Sequence, residues 1–169
     1  MKEYLLVDGY NVIFQSPELK NLGNLEHARE RLIATLINFA ALAGQQVTVV
    51  FDAHLVPGGV AHTERHGGVE VIYTAQGETA DTVIERLAGK LSGSGVVFVV
   101  TADYVEQRLI LGRGAYRVPP VEFWKKEQQL RRESGTYRRD LPADGYLENR
   151  LEDRIRAALE AWRHKKPGG

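Results

Sequence analysis

The sequence has no cysteine among its 169 residues. Disulfides, thiolate nucleophiles and thiolate metal ligands are thereby excluded, and the chain suits a reducing cytoplasm, its expected location. Hard oxygen ligands remain open. There is also no apolar stretch of the roughly 18 or more residues that a membrane helix needs, so no membrane partner is expected. The apolar start, Tyr4 to Val7, is broken by Asp8, Gly9 and Asn11 too early for a secretory leader. Net charge is absent too, since 22 Lys+Arg balance 22 Asp+Glu. The balance is uneven along the chain. Residues 1–110 hold 8 Lys+Arg against 13 Asp+Glu, whereas residues 111–169 hold 14 against 9. An acidic front with a basic back can join a cation site to a polyanion-binding surface, although a solvated helical C-terminal segment would give the same count.

What is present is ordinary for a globular chain: 43% hydrophobic and 26% charged residues, in a length that suits one domain over 1–169. Unalternated apolar runs at Tyr4–Val7, Val47–Phe51 and Val96–Val100 predict central parallel strands covered on both faces. Val69–Thr74 alternates more and reads as an edge strand; Tyr116–Val118, before Pro119, is a fifth strand. Leu25, Ala28, Leu32, Leu36, Phe39 and Ala43 recur at helical spacing and stop at Gly44, and Ala80 to Leu91 repeats the pattern before Gly93. A shorter helix is expected over Tyr104–Leu111. The predicted fold is α/β, with a mostly parallel central sheet and crossover helices. Beyond residue 118 the chain reads as a basic helical extension: Val121–Glu133, a break at Ser134–Gly135, then a stripe from Leu147 to Trp162. His54–Gly68 reads as a long irregular loop.

Acids recur where these strands end. Asp8 closes the first strand, Asp52 the second, Asp103 follows the fourth, and Asp81 opens a helix. In an open α/β sheet ligands gather outside the carboxyl ends of the strands, near the point where strand order reverses. One such acid is ordinarily a cap; three after buried strands are harder to ascribe to capping. Two carboxylates about 4 Å apart repel by roughly 4 kcal/mol at an effective dielectric near 20, so a cluster needs relief. No Lys or Arg lies within three positions of Asp8, Asp52, Asp81 or Asp103. A divalent cation is the favoured relief, and all-oxygen ligation points to Mg²⁺ or Mn²⁺.

The stretches "VDGYN", "VVFDAH", "ETAD" and "VVTADYVEQ" resemble the NYN domain, a branch of the PIN-like nucleases, and its YacP-like bacterial group, from about Tyr4 to Arg117. The resemblance implies a PIN-like three-layer fold with helices on both sheet faces and metal-dependent endoribonuclease activity on RNA. It also implies mRNA cleavage in association with translating ribosomes. Carried onto this sequence, it makes Asp8, Asn11, Asp52, Asp81 and Asp103 the catalytic set, with Asp8, Asp81 and Asp103 as metal ligands. Gly9 would let the backbone turn, and Asn11 would bond an acid, water or phosphate; an Asx-turn or helix cap is the structural alternative for Asn11. Thr101 either orients Asp103 or ends its strand. Glu78 reads better as an acid at a helix start, and Gln107 either faces the site or solvent.

Lys125, Lys126, Arg131, Arg132, Arg138 and Arg139, with Trp124 and Tyr137 among them, suit phosphate contact and base stacking, or else a solvated helix face with Trp124 in the core. Arg65 is a further RNA-contact candidate. His54, His62 and His66 sit in a Gly-rich segment and are not expected to form a zinc site. Rival chemistries lack their marks: Tyr10 stands where an aspartyl phosphatase has its second acid, and "DGYNVIF" lacks the glycines of a dinucleotide turn.

Overall fold

The computed structural model describes residues 2–56, 58–102 and 114–138. Six strands form one sheet: β1 (Lys2–Asp8), β2 (Gln46–Phe51), β3 (His62–His66), β4 (Val69–Tyr73), β5 (Gly95–Val100) and β6 (Tyr116–Val118), in the order β3-β4-β2-β1-β5-β6. All pairings are parallel except β3 with β4. Among the described residues the α-helices are α1 (Gly9–Phe14), α2 (Pro17–Lys20), α3 (Leu25–Ala43), α4 (Ala80–Leu91) and α5 (Pro120–Arg138).

The apolar run of β1 is buried on both faces, and its alternation divides two cores. Leu5 and Val7 face a cluster built with α1, α3 and Phe123 of α5, while Tyr4 and Leu6 face one built with α4. The three-layer α/β expectation therefore holds. α3 begins where the Asn24 side chain accepts the Glu26 and His27 N–H groups at 2.8 and 3.4 Å, relieving amides that the helix itself cannot pair. It ends at Gly44, whose φ of 69° is the left-handed conformation that favours glycine.

Three expectations need correction. Val69–Thr74 is not the edge: β3 lies outside it, and the supposed loop His54–Gly68 contains that strand and a 3₁₀ turn, Ala53–Leu55. β3 reads "HTERH", with no apolar residue, because a charged edge strand resists pairing with other chains and so carries no hydropathy signal. The two glycines between His66 and Val69 make the hairpin, Gly67 at φ 59°. α5 runs through Ser134–Gly135 without the expected break; one interior glycine costs a helix only about 1 kcal/mol. Two short helices, α1 and α2, follow β1 directly, the second capped by Ser16 with Pro17 at its first position. Gly9 opens α1 directly after β1 without a positive φ, and a side chain there would run into the ring of Phe51. The helices expected over Tyr104–Leu111 and around Leu147–Trp162 lie outside the described residues.

Candidate active site

The strand order reverses at β1. The chain leaves β1 through α1–α3 for β2 on one side and comes back through α4 to β5 on the other, so the carboxyl ends of β1 and β5 border the crevice. Asp8 is the last residue of β1 and is half-buried. It occupies the N-cap position of α1 without making a side-chain capping bond there. Asn11, one turn on, reaches across the crevice: its Oδ1 accepts the Ala102 N–H at 3.0 Å. Among the described residues the Asn11 oxygen thus serves a backbone amide just past β5 rather than an amide of its own helix. Thr101, fully buried, follows β5 with its N–H donating to the Val118 carbonyl at 3.3 Å and its carbonyl accepting from Arg117 Nε at 2.9 Å. Asp103 and Gln107 lie outside the described residues.

Asp52 and Asp81 come from the neighbouring side. Asp52, half-buried, follows β2; its Oδ1 accepts from the Thr74 hydroxyl and its Oδ2 from the Ala80 N–H, both at 3.4 Å. Ala80 is the first residue of α4 and Asp81 the second, also half-buried. Among the described residues no three His, Asp or Glu side chains gather closely enough to hold a metal ion. Asp8, Asp52 and Asp81 therefore do not complete a ligand set between them.

Two residues near these acids escaped the sequence reading. Arg29 is buried in α3 and donates from Nη1 to the Tyr10 hydroxyl at 3.0 Å. Burial pushes the Tyr10 phenol up from its usual pKa; Arg29 opposes that and the charge of Asp52 adds to it. A basic residue absent from the sequence neighbourhood of the acids is thus brought by folding onto a phenol that also feels the charge of Asp52. Its signal was position: Arg29 stands between Ala28 and Leu32 on the apolar stripe of α3. Thr74, the other, is buried at the end of β4 and bonds Asp52.

Glu78, just before α4, pairs with Arg86 at 3.2 Å, and Arg65, on β3, pairs with Glu70 at 3.0 Å. His62 and His66 flank Glu64 on β3 at 3.4 and 3.3 Å; the side chain of His54 is not among those described. On α5, Lys125, Lys126 and Arg132 are exposed, and Arg131 pairs with the buried Glu127 at 3.4 Å. Trp124 packs against the core and edge-on to Phe123, which favours its structural role over base stacking. Arg138 ends α5 with its side chain, like that of Tyr137, outside those described, and Arg139 lies beyond them.

Comparison with known proteins places the chain in a family. Residues 5–164 match the YacP-like NYN domain. The chain is 39% identical over 170 residues to the "Uncharacterized protein YacP" of Bacillus subtilis (strain 168), covering 99% of this chain and 87% of that protein. It superposes on the crystal structure of a tryptophan-to-leucine mutant of Rae1 (YacP) from Bacillus subtilis with a TM-score of 0.75 and 34% identity, covering 95% and 99% of the two chains. A second crystal structure of Bacillus subtilis Rae1 (YacP) gives a TM-score of 0.70 at 36% identity, covering 96% and 95%. The chain belongs to the YacP-like NYN domain family, within the PIN-like superfamily of nucleases.

Proposed function

We propose that this protein is a metal-dependent endoribonuclease that hydrolyses phosphodiester bonds of single-stranded RNA, specifically mRNA on translating ribosomes in the cytoplasm. The observation that carries the reading is the Asn11–Ala102 bond, which ties α1 to the chain just past β5 beside Asp8, at the switch point of the sheet. The choice of RNA over DNA rests on the family, because metal-assisted hydrolysis does not itself require a 2′-hydroxyl.

The donor set fits a hard cation: Asp8 and Asp81 offer carboxylate oxygens and are half-exposed, so an ion and its waters can reach them. Asp8, Asp81 and Asp103 would hold Mg²⁺ or Mn²⁺, which would polarise a phosphodiester and lower the pKa of an attacking water. The chain's own groups do the rest. Asn11 fixes the approach of α1 to the end of β5, and its amide nitrogen is a donor for a phosphate oxygen. Gly9 lets α1 start against Phe51 without a side chain between them. The exposed Lys125, Lys126 and Arg132 of α5 offer phosphate contacts that hold the strand without reading its sequence.

The test is incubation of the purified protein with RNA and Mg²⁺ or Mn²⁺, with and without ribosomes, beside Asp8→Asn. Metal-dependent cleavage by the wild type and none by the variant is expected. Binding to RNA or ribosomes without cleavage under any of these conditions would make the protein a non-catalytic binding module instead.

A further inference from the structure

An acid one residue past a strand ordinarily caps the turn that follows, yet the Asp52 side chain makes no bond to the 3₁₀ turn it precedes. Its oxygens serve other elements. Oδ1 takes the Thr74 hydroxyl and Oδ2 the Ala80 N–H, each at 3.4 Å. Thr74 is only 1% exposed, and its Oγ1 accepts the Ala53 N–H at 3.0 Å. A hydroxyl has one proton, so once it accepts from an amide that proton is left for the carboxylate. The bond runs from Thr74 to Asp52 and not the reverse. The Thr74 N–H meanwhile donates to the Phe51 carbonyl at 3.1 Å, holding the end of β4 against the end of β2.

The Ala80 N–H is among the first amides of α4, which have no partner inside the helix. Thr79 caps α4, but its side chain accepts from Thr82; it is Asp52 that serves Ala80. The Ala80 methyl is buried in the same core as Leu6, Val50 and Val99. α4 is therefore held at its start by a methyl in the core and an amide on Asp52. The next residue is Asp81.

We propose that Asp52 and Thr74 are positioning residues: Thr74 orients the Asp52 carboxylate, the carboxylate fixes the first amide of α4, and α4 so fixed presents Asp81 to the cation. The inference rests on the nuclease reading and gives Asp52 a different role from Asp8 and Asp81. A metal ligand here must carry charge, whereas an anchor need only accept a hydrogen bond. Asparagine in place of Asp52 can still accept from Ala80 through its oxygen and turn its NH₂ toward the Thr74 oxygen. Alanine can do neither.

The test measures Mn²⁺ binding by electron paramagnetic resonance on the full chain, with thermal melting and with RNA cleavage over a range of Mn²⁺ concentrations. Asp52→Asn and Thr74→Ser should bind Mn²⁺ within about threefold of wild type, while Asp52→Ala and Thr74→Val bind about 10-fold or more weakly, the usual scale for losing an outer partner of a metal site. Excess Mn²⁺ should restore cleavage in both weak binders and should not restore it in Asp81→Asn. The inference is overturned if Asp52→Asn is as impaired as Asp81→Asn, or if Asp52→Ala binds as wild type does. Should Asp52→Ala or Thr74→Val fail to fold, Asp52→Asn and Thr74→Ser set against Asp81→Asn still decide it. A wild type that neither binds Mn²⁺ nor cuts RNA brings down the nuclease reading and this inference with it; a wild type that cuts while Asp52→Asn fails brings down this inference alone.

Discussion

Asp8 and Asn11 stand where a strand buried on both faces gives way to a helix, while Lys125, Lys126 and Arg132 stand on an exposed helix surface. The first pair is located by backbone pairing on both sides of β1 and by a 3.0 Å bond to Ala102. The second group is located by α5 itself, Arg132 Nε donating to the Gln128 carbonyl one turn back at 3.4 Å. Chemistry on a phosphodiester needs groups held in reacting geometry, and small misplacements there cost orders of magnitude in rate. Holding a polyanion needs only charge within a screening length. Changes in the crevice should therefore act almost all-or-none, and changes on α5 should act in proportion to the charge removed.

The largest effect should come from Asp8→Asn, which removes the charge proposed to hold the cation while keeping the shape of the side chain. Cleavage of RNA should fall to background. Asp8 makes no capping bond to α1, so the amide forfeits no hydrogen bond of that kind, and loss of one carboxylate eases repulsion among the acids. Without metal the variant should melt no lower than wild type. With Mn²⁺, wild type should gain stability, about 2.7 kcal/mol at 100 times the dissociation constant, and the variant should gain none. Thermal melting with and without Mn²⁺, run beside cleavage, checks both; an unfolded variant or wild-type cutting would remove Asp8 from the site.

Next in size is Asn11→Ala. It leaves the Ala102 N–H without its partner and frees α1 from the end of β5, so cleavage should drop about 10- to 100-fold, as when outer partners of a metal site are lost. Asn11→Asp keeps an acceptor for Ala102 but adds a carboxylate beside the others. If both variants cut like wild type, the Asn11–Ala102 bond is merely structural and the crevice tolerates more than the comparison with α5 supposes.

On α5, replacing Lys125, Lys126 and Arg132 together by Ala should weaken RNA binding and lower the log–log salt slope by about 0.7 for each lost phosphate contact on a single strand. Arg131→Ala should do less, since that guanidinium is already paired with Glu127. Filter binding across a salt series measures it. An unchanged slope would show the face to be only solvated, and the division between crevice and surface would then rest on the acids alone.

The parts legible in the sequence are those whose signal is local. β1, β2 and β5 are buried on both faces and so are written as apolar runs, and Asp8 is marked by standing where such a run stops. β3 was hidden because an exposed edge strand has no apolar side to show. Thr74 and Arg29 were hidden for another reason: the bonds that give them meaning reach 22 residues back to Asp52 and 19 back to Tyr10. The bond from Asn11 spans 91 residues. Spacing can nominate an acid at a strand end, but the partner that orients it is chosen by strand order, which no short stretch records.

The smallest effect concerns Glu127, an acid set within the basic helix. It is buried, and burial pushes its carboxyl above the usual range, with Arg131 opposing and the charge of Glu18 adding to the rise. A group whose pKa is higher in the folded than in the unfolded state stabilises the fold fully below the unfolded value, and that contribution is lost as pH rises through the folded one. At neutral pH Glu127 is therefore a net cost to folding. Glutamine keeps the volume without the charge, and the ion pair it gives up involves a guanidinium that is 55% exposed, which makes that pair a weak support. Glu127→Gln should accordingly melt higher than wild type at pH 7 to 8, with the gap closing as pH falls toward the unfolded carboxyl value of about 4.5. Melting temperatures of the two proteins across that range check it. A gap that stays constant with pH, or that favours wild type at neutral pH, would mean that the pair with Arg131 outweighs the cost of burial, and that α5 contains a charge held as firmly as those of the crevice.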